Sequence, residues 1–140
     1  MSSDQLADPR IEAFLHTKEV VVLAMARHDG APAATPMWFL HEAGALYMIS
    51  VDDTWKVKAL HRDPRVSVVA ETTDSDGAIR GVVVTGHAQF LEDSGERRSL
   101  ADRFLAKYHP RLERLWAGRT MPANRVMFRI SPSHVRCWGL

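Results

Sequence analysis

Between Ser50 and Lys56 the chain sets two hydroxyls, Ser50 and Thr54, and one ammonium, Lys56, where an extended run gives way to a short helix. A helix N-terminus carries unpaired backbone N–H groups and a partial positive charge, so these residue types at this spacing suit the binding of an anion such as a phosphate. Asp52 or Asp53 can cap the helix. Val57 and Leu60, three apart, share one apolar face. The residue before a proline avoids the α region, so Asp63-Pro64 ends the helix. Asp52 and Asp53 would oppose an incoming anion, and on local features alone the stretch reads more readily as a surface helix joining two strands, with its lysines in water. Its surroundings must decide.

Other chemistries find less material. The 7 histidines (His16, His28, His41, His61, His87, His109 and His134) form no helical pair at four-residue spacing, so a zinc site is unsupported. Ser50, Ser67, Ser99, Ser131 and Ser133 lack a G-x-S-x-G elbow, and there is no G-x-G-x-x-G or Walker loop. Tyr47, His87 and His134 can exchange protons, but none is singled out as catalytic. Among the 4 tryptophans, Trp116 lies on an amphipathic helical stretch and reads as core. Trp38, which follows Pro36, and Trp138, near the chain end, are better placed to lie against a flat ligand.

The elements that must hold these residues are mostly strands. Asp8-Pro9-Arg10 opens a helix with Ile11, Phe14 and Leu15 on one side. Residues 19–27 predict a buried strand, Asp29-Gly30 a tight hairpin, and residues 33–41 a second strand. Pro36 inside that strand implies an edge, a bulge or a backbone left free for a ligand. Residues 46–51 form a third strand before the helix at 53–62. Residues 65–72 and 80–92 are two more, the latter bent at Gly81 and Gly86. A long helix starts at residues 93–96 and is interrupted at Pro110. Strands at 125–130 and 134–138 follow, separated by a kink at Ser131-Pro132. Hairpin connections with few helices predict a mainly β fold, a six- to seven-stranded antiparallel barrel with peripheral helices.

At 140 residues and 46% hydrophobic content the chain predicts one domain with a real core. It divides into an N-terminal helix at 1–18, barrel strands over 19–92, a helical segment at 93–117 and closing strands at 124–138. A net charge of +1 with both signs interspersed excludes a strong nucleic-acid footprint. The longest apolar runs are of strand length and do not predict a membrane span. Residues 1–10 lack the apolar core of a signal peptide, and one cysteine, Cys137, allows no internal disulfide, so a cytoplasmic location is expected. Cys137 itself reads as a small apolar filler.

One strand carrying T-P-x-W-F, followed by S-x-x-x-T-x-K-x-x-x-L-x-R-D-P-R-V-S and a late I-S-P-S-H-V, resembles the pyridoxamine 5′-phosphate oxidase-like split barrels. The nearest likeness is to their short actinobacterial-type branch, and it covers residues 19–138. The resemblance implies an FMN-binding type of split β-barrel, a homodimer, and FMN or the deazaflavin coenzyme F420 in a groove at the dimer interface. It implies phosphate binding by Ser50, Thr54 and Lys56, and a ring lying along Thr35, Pro36, Met37 and Trp38. Arg80 and Gly81 match the position beside the ring or phosphate, and Trp138 would come from the other subunit. True pyridoxamine phosphate oxidases carry further arginines, one of them just before the helix lysine, where this chain has Trp55. That departure weighs against vitamin B6 oxidation and tilts the cofactor towards F420. The function implied is hydride transfer to or from a small organic substrate. The alternatives are a flavin carrier without turnover and a barrel holding another flat ligand, such as haem.

Overall fold

The computed structural model describes residues 5–140, so the first four residues of the expected N-terminal helical region lie outside the described residues. The elements are α1 (Pro9–His16), β1 (Val20–Ala26), β2 (Pro32–Trp38), β3 (Leu40–Glu42), β4 (Ala45–Val51), α2 (Trp55–Arg62), β5 (Arg65–Thr73), β6 (Ile79–Phe90), α3 (Gly95–Lys107), α4 (Arg111–Trp116) and β7 (Arg125–Trp138). Every strand pairing is antiparallel, in one 7-stranded sheet of order β2-β1-β5-β6-β7-β4-β3. The sheet curls so that β2, at one end, approaches β4 near the other without a ladder between them. It is a split barrel, and the split is the seam between β2 and β4.

Two cores flank the sheet. Inside the curl, Leu23, Leu46, Met48, Phe128 and Ile130 are almost fully buried with Phe14 and Leu15 of α1. Alternation along each strand sends every second side chain inward, which is why a period of two marks these segments. On the other face of β3, β4 and β7, Tyr47 and Met127 pack beneath α3 and α4 through Leu100, Phe104, Leu105 and Tyr108. No helix among the described residues is long and apolar enough to cross a membrane.

Four expectations need correction. The strand over residues 33–41 breaks at Phe39 into β2 and β3. The buried Tyr108 hydroxyl fills the gap: it accepts from the Phe39 N–H at 2.9 Å and donates to the Glu19 carbonyl at 2.8 Å. Backbone groups that leave a ladder need such partners. The strands at 125–130 and 134–138 form one continuous β7, and the irregularity is a register shift between Thr85 and Gly86, where the β7 partner steps from His134 to Pro132. Gly86 is required there by close approach, since a Cβ would strike the Ser131 backbone. Finally, α2 is capped neither by Asp52 nor by Asp53 but by Thr54, whose hydroxyl accepts from the Val57 N–H at 3.4 Å. Asp53 takes a left-handed φ of 61°, which a capping residue does not adopt. Cys137 is exposed, so it is no core filler.

A candidate cofactor cleft at the barrel seam

The seam holds a cleft of about 420 Å³, within the range of small-molecule sites. One wall is β2, through Pro36, Met37 and Trp38; the other is β4, through Ile49, Ser50 and Val51. Thr54 and Lys56 enter from the start of α2. Six of the residues singled out from sequence, Ser50, Thr54, Lys56, Pro36, Met37 and Trp38, therefore meet in one place. Thr35 lies next to them on β2 but does not line the cleft. As an end strand, β2 pairs only with β1, so the proline disrupts no second ladder.

Lys56 is the electrostatic centre. It sits in the first turn of α2, and its half-buried ammonium has no carboxylate within ion-pair distance among the described residues. Its one hydrogen-bond partner among the described residues is the Met37 sulfur at 3.6 Å. Burial pushes its pKa below the usual lysine value. An ammonium partly desolvated and given only a thioether is poised for an anion. Asp53, which would oppose that anion, instead turns to Lys58 at 3.1 Å. Ser50 is buried, with its hydroxyl 3.4 Å from the Val51 carbonyl.

Trp38 does not stand free. It stacks on Tyr108 with ring centroids 4.4 Å apart and planes 3° off parallel, and the Arg111 guanidinium lies 5.2 Å from its ring. It thus forms a rigid wall, not a mobile flap. Sequence reasoning missed the wall supplied by the helices: Phe104, Leu112, Leu115 and Trp116 line the cleft, as does Arg125 of β7. Helical periodicity marks such residues as core, and Trp116 is indeed buried, but a buried side chain can also face a cavity. Leu115 is 64% exposed on the short helix Arg111–Trp116, and no local pattern in the sequence sets it apart from the core positions around it. The loops at 73–79 and 118–124 contribute nothing to its lining.

Arg80, Gly81 and Trp138 lie outside the cleft. The Arg80 guanidinium pairs with Asp74 at 3.2 Å and sits 5.7 Å over the Phe14 ring. Gly81 is opposite Trp138 in the β6–β7 register, and any side chain at 81 would collide with the indole. Among the described residues no group of His, Cys, Asp or Glu side chains is arranged to hold a metal ion.

The same outer face carries an apolar band. Strand register aligns Pro36, Val22, Val69 and Val83 across β2, β1, β5 and β6. Val22 and its face neighbour Val20 are each 43% exposed, and Gly81 and Trp138 lie two positions along from Val83 and its partner Arg136 on that face. Pro36 belongs to both band and cleft.

Comparison with known proteins agrees with this architecture. A search of curated proteins finds no match. Among solved structures, the conserved hypothetical protein Rv2991 from Mycobacterium tuberculosis is 26% identical with a TM-score of 0.80, covering 94% of this chain and 83% of its own. A FAD-binding protein from Mesorhizobium loti is 24% identical with a TM-score of 0.73, covering 91% and 89% respectively. The haem storage protein HutZ from Vibrio cholerae shares the fold at 18% identity and a TM-score of 0.69, covering 92% of each chain. The family model described as pyridoxamine 5′-phosphate oxidase matches residues 7–139. Nearly the whole chain is thus accounted for, and the protein belongs to the pyridoxamine 5′-phosphate oxidase family of split barrels.

Proposed function

We propose that this protein is an oxidoreductase that binds a flavin-type cofactor, coenzyme F420 ahead of FMN, in the seam cleft. The observation that carries the reading is Lys56, a half-buried cation with no carboxylate partner among the described residues, at the N-terminus of α2. Its ammonium, the Ser50 hydroxyl and the α2 backbone would hold the phosphate, while the cap Thr54 fixes where that backbone begins. The β2 backbone and the Tyr108-braced Trp38 would orient the ring, and Phe104, Leu112 and Trp116 would exclude water. Such a cofactor, when bound, supplies hydride transfer, and the protein supplies position and surroundings. F420 is preferred because Trp55, standing where the oxidases have an arginine, is 52% exposed and brings no cation to the phosphate.

A second copy of the chain would cover the apolar band, since isolated sheets seldom leave such a row in water. Because Pro36 links band and cleft, the cofactor would lie at that interface, and Gly81 and Trp138 would approach it from the partner. Haem is the weaker alternative: no residue lining the cleft is a histidine, so this protomer offers no imidazole ligand there.

The test is equilibrium binding of F420 and FMN to cofactor-stripped protein, then hydride transfer from the reduced cofactor to unsaturated and nitro acceptors. Tight F420 binding with turnover supports the proposal. Binding without turnover on any acceptor reduces it to a carrier, and binding of neither cofactor removes it.

A further inference from the structure

Helix α2 has a second working face. Trp55, Lys58, Ala59 and Arg62 fall at i, i+3, i+4 and i+7, one continuous stripe along the helix. That stripe does not face the Lys56 cleft. It lines a separate cavity of about 630 Å³, whose opposite wall is Ala33 and Ala34 of β2 and whose end is closed by Arg27 and His28 at the β1–β2 hairpin.

The lining is unusual in its chemistry. It contains Arg27, Lys58 and Arg62 and no carboxylate. Lys58 is engaged by Asp53, but Arg27 and Arg62 have no ion pair among the described residues. Asp29, on the hairpin, is the nearby counter-charge: its carboxyl is held below the usual range, chiefly by the Ala31 N–H and also by Arg27 and His28. Its oxygen accepts from that N–H at 3.0 Å, which keeps it within its own turn. The same lining includes Trp55, 52% exposed at the first position of the helix, where solubility alone would favour a polar residue. Ala33, Ala34 and Ala59 add only small side chains to the lining.

From this juxtaposition we propose that the Trp55–Arg62 face of α2 is a binding site for a planar aromatic anion of about the size of a nucleoside monophosphate. The ring stacks on Trp55, and the phosphate or equivalent acid is held by Arg62 and Arg27. Guanidinium groups suit that role through their paired donors, and stacking on an indole tolerates many ring systems. The site is independent of the cofactor reading, because it shares no lining residue with the seam cleft.

Adenosine 5′-monophosphate is the probe, followed by isothermal calorimetry and tryptophan fluorescence on the full chain. Saturable binding and quenching are expected, with adenosine and ribose 5-phosphate each weaker by about tenfold or more. Trp55→Ala and Arg62→Ala should each weaken the mononucleotide by about tenfold, and Lys56→Ala should leave it unchanged. Both test positions are exposed, so the fold survives their replacement. Equal binding of ribose 5-phosphate would reduce the cavity to a patch of charge and overturn the proposal. Loss of binding in Lys56→Ala, or no saturation at millimolar probe, would overturn it as well.

Discussion

Lys56→Met exchanges a half-buried ammonium for an apolar chain of similar length, and it should move two observables in opposite directions. Without ligand, burial disfavours the charged form of Lys56, and the Met37 sulfur 3.6 Å away is a weak acceptor. Removing that charge should therefore stabilise the ligand-free protein by about 0.5–1 kcal/mol, the usual gain when a strained functional residue is relaxed. With cofactor, the variant loses a hydrogen bond between two charged groups, worth about 1.5–3 kcal/mol, or roughly a 10- to 150-fold rise in Kd. The pH profile supplies a further check. Because burial lowers the Lys56 pKa, the wild type should lose cofactor affinity on alkalinisation earlier than an ordinary lysine would allow, and Lys56→Met should not follow it. Urea unfolding of the stripped protein and fluorescence titration with F420 measure both arms. A variant that is less stable yet binds as tightly as wild type would make Lys56 a packing residue and refute the reasoning.

Three further outcomes are expected. Tyr108→Phe leaves the Phe39 N–H without its acceptor in a buried position and should cost about 1–3 kcal/mol by urea unfolding, with a loosened Trp38 visible as altered fluorescence. Lys107, whose ammonium donates to the Phe39 carbonyl, has its pKa depressed by burial to about 8, so between that value and the ordinary lysine value of 10.5 the unfolded chain binds the proton more tightly than the folded one. Folding stability should therefore rise with pH across this window, by on the order of 2 kcal/mol relative to Lys107→Met, which titrates nothing there. Above pH 10 the Tyr108 hydroxyl, pushed by burial to about 12, resists ionisation in the fold, and its contribution turns stability downward. Val22→Glu puts a charge in the centre of the apolar band and should convert a dimer into monomers in sedimentation velocity with little change in thermal stability of the monomer. If wild type is itself monomeric at high micromolar concentration, the interface assignment fails.

Much of this fold was written locally. Asp29-Gly30 announced the first hairpin, Asp63-Pro64 the end of α2, and the alternation of Val66, Val68 and Ala70 the inward face of β5, because each depends on neighbours in sequence. What stayed hidden depends on distant partners. The break at Phe39 requires Tyr108, whose hydroxyl substitutes for a strand, and no pattern around residue 39 reveals it. The same limit hid the outer wall of the cleft: Phe104, Leu112 and Trp116 obey the helical period that any core obeys, and only the curl of the sheet sets an opening beside them. Ser50, Thr54 and Lys56 were legible because a strand end and a helix start bring them together within one turn. Arg80 was placed by likeness alone, and its salt link to Asp74 and contact with Phe14 could not be read from either segment.

Strand β7 bears on how the molecule is made. Among the described residues it is the strand that links β6 on one side to β4 on the other, joining residues as far apart as Leu46 and Ile130. During synthesis β1, β2, β5 and β6 can pair as soon as residue 90 is available, while the β3–β4 hairpin waits without a sheet to join. Until residues 125–138 arrive, β4 and β6 each present an unpaired edge, the kind of edge that nascent chains use for unwanted association. The two walls of the cleft, β2 and β4, face one another only after that strand is seated. A ligand that touches both walls of the cleft would therefore meet its complete site only in the finished sheet.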